Sequence, residues 1–229
     1  MNFWQEIIEN GGMYRGDFMK IYDVSMSVHE KMAVYNNSSA KRPIIKVTDD
    51  FSNSTHFESR IDMNMHTGTH IDAPLHMIEG AQTIDSVNLS RLITKCKVLD
   101  FTKINDKISK INLMEKKTNK GEFILFKTKN SMTEDFDKSF IYLDQSGAEF
   151  LKDVGISGVA TDALGIERAQ PEHETHKILF AAGIIIIEGL RLKDVEEGEY
   201  MMYALPLKIL GVEAAPARVI LIKALTKKK

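Results

Sequence analysis

Four consecutive isoleucines, Ile184 to Ile187, constrain the fold of this chain more than any other local feature. The run is short, because Gly183 precedes it and Glu188 follows it. β-Branched side chains favour a strand, and successive side chains of a strand point to opposite faces of a sheet. A strand with isoleucine at every position therefore predicts a sheet that is covered on both faces.

Further strands and helices are predicted to alternate along the chain. Apolar patterns predict strands at 20–25, 57–65, 97–101, 122–127, 157–161, 183–187 and 218–223. Helices are predicted at 86–94, 145–153 and 171–182. The last has Pro171 near its start and Gly183 just past its end, the usual asymmetry of a helix. Some strand pairs are separated by too little chain for a crossover helix, so we expect a mixed sheet in an α/β fold.

Length and charge limit the class of protein. The 229 residues fit a single domain over 19–229, preceded by a loosely ordered arm over 1–18. A net charge of −2 gives no reason to expect nucleic-acid binding. The longest apolar run is shorter than the roughly 20 residues that a membrane span needs, so no membrane partner is expected. A lone cysteine, Cys96, favours a reducing cytoplasm.

Three of the seven histidines fall within eleven residues, together with an aspartate. Counted from His66, the spacing is four residues to His70, six to Asp72 and ten to His76. A helix would bring positions i and i+4 together but would turn i+6 away. The segment also contains Gly68 and a proline, which disfavour a helix.

An extended strand gives the spacing a chemical meaning. If the strand at 57–65 continues, His66, His70 and Asp72 lie on one face, and Gly68 between the histidines leaves room for a metal or substrate. Two imidazoles and a carboxylate suit zinc or manganese. The proline bends the chain, so that His76 can lie over this site without being a ligand.

A second half of the site is predicted near the isoleucine strand. From His176 to Gly183 a helix rises about 10 Å, and from Gly183 to Glu188 a strand returns about 16 Å. If the chain reverses at Gly183, the side chains of His176 and Glu188 come back to the same end. A carboxylate after four buried isoleucines is costly unless it is paired, bound to a metal or exposed at the end of the strand.

Residues 66–76, His-Thr-Gly-Thr-His-Ile-Asp-Ala-Pro-Leu-His, resemble the HxGTHxDxPxH signature of the cyclase-like metal hydrolases. That family includes bacterial kynurenine formamidase (arylformamidase) and isatin hydrolase. The resemblance begins at about Lys20 and includes segments 21–25, 158–162, 176–188, 204–211 and 215–218. It implies a flattened β-barrel-like mixed sheet core with surrounding helices, of the swivelling β/β/α type, assembled as a homodimer or homotetramer.

The resemblance also implies a site with two divalent ions, Zn²⁺ or alternatively Mn²⁺. Five residues match the metal ligands of the family: His66, His70, Asp72, His176 and Glu188. Asp72 would bridge the two ions, and His76 would be the catalytic acid/base. Family formamidases tend to carry Trp-Pro-Gly-Asp near the substrate ring. The corresponding stretch here is Val-Tyr-Asn-Asn at 34–37, in which Tyr35 is the residue that would stack on a ring.

These features lead to three hypotheses about function, all with a small molecule as the partner. The first is a metal-dependent amidohydrolase that acts on a C–N bond other than a peptide bond, as arylformamidase does when it cleaves N-formylkynurenine to kynurenine and formate in tryptophan catabolism. The second is a hydrolase of a cyclic amide or lactone, like isatin hydrolase. The third is a metal-binding module without turnover. His76 distinguishes them, because a binding module has no need for a fourth, non-ligand histidine.

Overall fold

The computed structural model describes residues 19–224, so the predicted arm over 1–18 lies outside the described residues. In this range the strands are β1 (Met19–Asp23), β2 (Ile44–Asp49), β3 (Glu58–Asp62), β4 (His70–Asp72), β5 (Ile93–Asp100), β6 (Lys107–Ile108), β7 (Phe123–Lys127), β8 (Tyr142–Leu143), β9 (Gly158–Thr161), β10 (Ile185–Glu188), β11 (Gly198–Pro206) and β12 (Ala214–Ala224). The α-helices are α1 (Lys110–Met114), α2 (Gln145–Val154) and α3 (Glu174–Ala181).

Eight of these strands form one sheet, in the order β1–β12–β11–β5–β7–β9–β10–β4. β4 also pairs with β12, so the seven strands from β12 to β4 close into a barrel. β1 lies outside this ring and pairs with β12. β5, β7, β9 and β10 pair in parallel, and the other pairs are antiparallel. The predicted mixed α/β fold with a β-barrel-like core is thereby confirmed.

The two faces of the sheet carry separate hydrophobic clusters. Ile185 and Ile187 join a cluster of strand and loop side chains that fills the barrel. Ile184 and Ile186 join the second cluster, which includes Leu151 of α2 and Leu179 of α3 and lies between sheet and helices. The isoleucine run is therefore buried on both faces, as its sequence predicts. Full burial of each such side chain contributes about 1.5–3 kcal/mol.

Two of the three predicted helices are present. α2 begins after Asp144, whose carboxylate accepts a hydrogen bond from the Gly147 N–H at 2.9 Å. α3 begins three residues later than predicted, because His173 adopts the left-handed conformation, with φ 55°. Gly183 follows the helix with φ 68° and reverses the chain into β10. Among the helices of residues 19–224, none combines the length and apolar composition that a bilayer crossing requires.

The predicted helix over 86–94 is wrong. This stretch contains a 3₁₀ turn at Leu89–Arg91, and β5 already begins at Ile93. The Asn88 side chain accepts a hydrogen bond from the Ser90 N–H at 3.0 Å and caps only this one turn. Ile93 then pairs with Tyr203 of β11, a strand that the apolar pattern did not predict. Tertiary pairing thus overrides a weak helical pattern.

The predicted strand over 57–65 is too long. β3 ends at Asp62 and pairs with β2 in a two-stranded hairpin whose side chains are largely exposed. The chain then turns, with the Thr67 N–H donating to the Asn64 carbonyl at 3.0 Å. Gly68 has φ 73°, in the left-handed region, so extended geometry cannot pass through it. The alternation of side chains in β3 therefore does not continue into β4.

Candidate metal centre

β4 contributes two residues to a buried polar cluster. His70 and Asp72 are two residues apart on this strand, so both side chains point to the same face. Glu188 lies directly opposite His70 in the antiparallel pair of β4 and β10. Cross-strand neighbours share a face, and the His70 Nε2 atom lies 3.4 Å from Glu188 Oε2 and 3.3 Å from Asp72 Oδ1. Sheet register alone thus assembles three of the predicted ligands.

His66 reaches the same cluster through a turn. Its Nδ1 atom lies 3.0 Å from Asp72 Oδ1 and 3.2 Å from His70 Nε2. The expectation that His66 shares a strand face with the others is wrong, although the residues do meet. Gly68 does not provide an open space between them, because a Cβ atom there would lie 3.1 Å from Met32. Its carbonyl oxygen instead lies 3.0 Å from His70 Nδ1 and orients that ring.

His176 completes the group of five predicted ligands. It lies on α3, and the reversal at Gly183 brings β10 back beside it. His176 Nε2 lies 3.4 Å from Glu188 Oε1 and 3.7 Å from Asp72 Oδ2. The side chains of His66, His70, Asp72, His176 and Glu188 are all at most 12% exposed. The structure therefore brings all five together in one buried position.

His76 lies on the turn Pro74–His76, which directly follows β4. Its ring centre is 4.1 Å from that of His66 and 5.5 Å from that of His176. Burial lowers the pKa of His76 to about 4, so its imidazole is neutral at pH 7. Its ring is also within 4.8 Å of ligand atoms of His66 and Asp72. Geometry alone thus allows His76 to be either a proton carrier or a metal ligand.

Tyr35 lies at the edge of the cluster, in the turn Tyr35–Asn37. Its ring packs edge-on against Phe136 and Phe140, with centres 5.5 Å and 6.2 Å away. Burial raises the pKa of the Tyr35 hydroxyl, and the negative charge of Glu188 raises it further. Tyr35 is therefore near enough to Glu188 to be affected by its charge.

The buried carboxylates are ionised and need positive charge beside them. Burial alone would raise the pKa of Asp72, but the His70 and His176 rings hold it well below its usual range. Burial also opposes ionisation of Glu188, yet its histidine neighbours lower the pKa to about 2. In return, the carboxylates overcome the effect of burial on His70 and raise its pKa to about 10. A divalent cation would supply the same charge without protonating the rings.

The donor set fits a metal ion. In the part of the chain that the structure describes, buried side-chain atoms without a hydrogen-bond partner include His66 Nε2, both Asp72 carboxylate oxygens and both His176 ring nitrogens. Unpaired buried polar atoms of this kind cost about 1–3 kcal/mol each. Ligand atoms bound to one zinc ion at about 2.0–2.2 Å lie about 3.4 Å apart in a tetrahedron. The contacts of 3.0 to 3.7 Å within the cluster match that spacing.

Two further carboxylates contact the cluster and were missed by the sequence prediction. Glu167 is buried, and its Oε1 atom lies 3.0 Å from His176 Nδ1. Glu213 is more exposed, with Oε1 3.3 Å from His66 Nε2. Neither residue belongs to the sequence motif at 66–76. Glu167 lies on the loop before α3, and Glu213 lies directly before β12. Spacing gives no signal for Glu167, because Glu172 and Glu174 lie closer to His176 in the sequence.

Known proteins are similar to this chain in sequence and in fold. The family model described as "Putative cyclase" matches residues 22–168. A kynurenine formamidase from Salinibacter ruber is 29% identical over 89% of this chain and 97% of its own length. These matches confirm the resemblance that the residues at 66–76 predict.

Solved structures agree with this result. A structure described as a "predicted metal-dependent hydrolase from Bacillus stearothermophilus" is 51% identical, covers 89% of this chain and 98% of that chain, and has a TM-score of 0.82. Isatin hydrolase A from Labrenzia aggregata covers 98% of this chain and 100% of that chain with a TM-score of 0.83, and its 19% identity shows a shared fold only. Because the family model spans more than half of its residues, this chain belongs to the cyclase family.

Proposed function

We propose that this protein is a metal-dependent hydrolase of a small-molecule amide, and that its substrate is an N-formyl aryl amine of the N-formylkynurenine type. The observation that carries the proposal is the buried cluster of three histidines and two carboxylates with the ring of His76 beside it, 4.1 Å from the ring of His66. Similarity to a kynurenine formamidase at 29% identity supports the choice of substrate class.

His66, His70, Asp72, His176 and Glu188 would hold the metal. We propose two divalent ions, Zn²⁺ or Mn²⁺, with Asp72 between them, since its two oxygens face His66 on one side and His176 on the other. Mixed imidazole and carboxylate ligands suit both metals. When bound, such ions make a water molecule more acidic and polarise the carbonyl of the substrate.

His76 would carry the proton that amide hydrolysis must move. Its low pKa leaves the ring neutral at pH 7, so one ring nitrogen can accept a proton from the attacking water. The same nitrogen can then donate that proton to the amine nitrogen as it leaves. The position of His76 beside His66 and His176 places this transfer at the cluster.

Tyr35 would bind the aromatic part of the substrate. Its ring belongs to an aromatic surface with Phe136 and Phe140, next to the proposed metal ligands. Aromatic rings prefer edge-to-face or offset contacts of this kind. An aryl substrate would therefore bind with its ring on this surface and its amide toward His76.

A cyclic amide or lactone is the second candidate substrate. Tyr35 and its neighbours replace the Trp-Pro-Gly-Asp element of the family formamidases, so the surface next to the cluster differs in this chain. Opening a cyclic amide requires the same attack and the same proton transfer. A metal-binding module without turnover is the alternative of another class, and such a module would have no need for His76 as a histidine that is not a ligand.

Hydrolysis by the purified full-length protein tests the proposal. The protein is assayed with N-formylkynurenine, with isatin and with a simple lactone, before and after metal removal by a chelator. We expect the formyl amide to be cleaved fastest, activity to disappear with the metal and to return with Zn²⁺ or Mn²⁺. Faster opening of isatin or the lactone would favour the second candidate. A metal-loaded protein that cleaves none of the three would contradict the amide hydrolase proposal.

We propose a homodimer or homotetramer in the cytoplasm, without a nucleic-acid or membrane partner. The exposed apolar side chains of the β2–β3 hairpin, such as Ile45, Val47 and Ile61, support self-association, because a two-stranded hairpin is only marginally stable in water. Light scattering after size-exclusion chromatography would measure the mass, and a monomer would contradict the proposed assembly.

A further inference from the structure

Glu167 is a buried carboxylate next to the proposed ligands but outside the set of five. Its side chain is 6% exposed, and its Oε1 atom lies 3.0 Å from His176 Nδ1. Its other oxygen accepts a hydrogen bond from the backbone N–H of His176 at 3.2 Å. Glu167 therefore contacts both the ring and the main chain of this one histidine.

The two nitrogens of the His176 ring face different partners. Nε2 points to Glu188 and Asp72, at 3.4 Å and 3.7 Å, while Nδ1 points to Glu167. A neutral imidazole has one nitrogen that can bind a metal and one that carries a proton. If Nε2 binds a metal, the proton must be on Nδ1. Glu167 Oε1 lies 3.0 Å from this nitrogen, which has no hydrogen-bond partner of its own among residues 19–224, and is the oxygen that can accept from it. A hydrogen bond of this kind fixes the tautomer and the orientation of a ligand ring.

His173 holds Glu167 from the other side. Its Nδ1 atom contacts the same Oε1 atom of Glu167. His173 has φ 55°, a left-handed conformation that is unfavourable for a residue other than glycine. The residue before α3 thus has a strained backbone, and in this conformation its imidazole contacts Glu167.

We propose that Glu167, supported by His173, is a positioning residue that holds the proton on His176 Nδ1 and so presents Nε2 to the metal centre. The inference rests on the proposed function, because it requires His176 to be a metal ligand. A separate metal ion between Glu167, His173 and His176 is the competing arrangement, since the three can approach one another closely enough. It would need His176 Nδ1 without its proton, which conflicts with metal binding through Nε2.

Zinc affinity of the full-length protein tests this role. The metal is removed with a chelator, and Zn²⁺ is titrated back in competition with a chromophoric chelator. The variants are Glu167→Ala, Glu167→Gln and, as matched control, Glu172→Ala, which changes an exposed glutamate just before α3. We expect Glu167→Ala to weaken the binding of one Zn²⁺ ion about 10–100-fold. Glu167→Gln keeps an oxygen that accepts from Nδ1 and should lose less affinity, and Glu172→Ala should match the wild type.

Thermal unfolding of the metal-free variants separates positioning from a purely structural role. Lower stability of Glu167→Ala with unchanged zinc affinity would overturn the proposal, as would a third equivalent of Zn²⁺ that disappears in this variant. If Glu167→Ala does not fold, Glu167→Met, which fills similar space but offers no acceptor oxygen, takes its place, and wild-type zinc affinity in it overturns the proposal. A wild-type protein that binds no Zn²⁺ or Mn²⁺ refutes the proposed function itself. If the wild-type protein binds metal and Glu167→Ala has unchanged zinc affinity, only the role of Glu167 is refuted.

Discussion

Replacement of His76 by alanine separates the proposed proton carrier from the proposed ligands. His76 follows Asp72 on a turn outside β4, and its ring packs 4.1 Å from the ring of His66. Burial lowers its pKa to about 4, so nearly all molecules at pH 7 hold the neutral ring that proton transfer needs. Alanine at this position removes the proton carrier and leaves the five other side chains in place.

The expected loss follows from the role of the ring. General acid–base catalysis contributes about 10²–10⁴-fold to a rate, which corresponds to about 2.7–5.4 kcal/mol in the activation barrier. We therefore expect His76→Ala to reduce kcat by this factor at pH 7. Zinc or manganese content should stay at the wild-type value, because the five proposed ligands contact one another without His76.

Two measurements on each variant test this reasoning. Hydrolysis of N-formylkynurenine is followed by absorbance, and metal content is measured by elemental analysis of the same sample. His56→Ala is the matched control, because His56 lies on the exposed hairpin, next to Ser54 and Glu58. A His76→Ala protein with wild-type kcat would refute the acid/base role. A parallel loss of metal and activity would show that His76 is a ligand, which its distance to Asp72 also allows.

Three further predictions follow from buried residues. His70→Ala should lose at least one equivalent of metal in elemental analysis, because its fully buried ring contacts both Asp72 and Glu188, and unchanged stoichiometry would contradict the ligand assignment. Gly158→Ala should lower the free energy of unfolding in urea by about 1–3 kcal/mol, since the new Cβ would lie 2.1 Å from the Phe123 ring, and wild-type stability would contradict this packing. Cys96 should react with a thiol reagent at pH 8 only after unfolding, because burial raises its pKa to about 12; rapid labelling of the native protein would show otherwise.

The sequence predicts the core better than it predicts the turns. Ile184 to Ile187 indicate a strand buried on both faces, and β10 has this environment because side-chain burial dominates its energy. The helix at 145–153 is found nearly as predicted, since its cap and its final glycine are local signals. The helix prediction for segment 86–94 is wrong because the end of this segment pairs with β11. That strand lies about a hundred residues later in the chain, so the local sequence does not indicate the pairing.

In the candidate site, too, residues close together in the sequence are predicted better than residues that tertiary packing brings together. Local spacing predicts that His66, His70 and Asp72 meet, although a turn at Gly68 rather than strand alternation brings His66 to the others. Glu167 could not be found from spacing. Its contact with His176 depends on how the loop between β9 and α3 folds over the helix start, which is set by tertiary packing.

The double pairing of β4 has a consequence for the order of folding. Thr69, next to β4, donates a hydrogen bond to the Gly189 carbonyl, 120 residues further along the chain, and β4 also pairs with residues 214–216. Contacts between such distant segments form slowly, because a long loop must close first. During synthesis, the segment with three of the histidines leaves the ribosome long before its partner strands exist. We therefore expect metal uptake to be a late event that follows closure of the barrel, so that added Zn²⁺ stabilises the folded chain without accelerating its refolding.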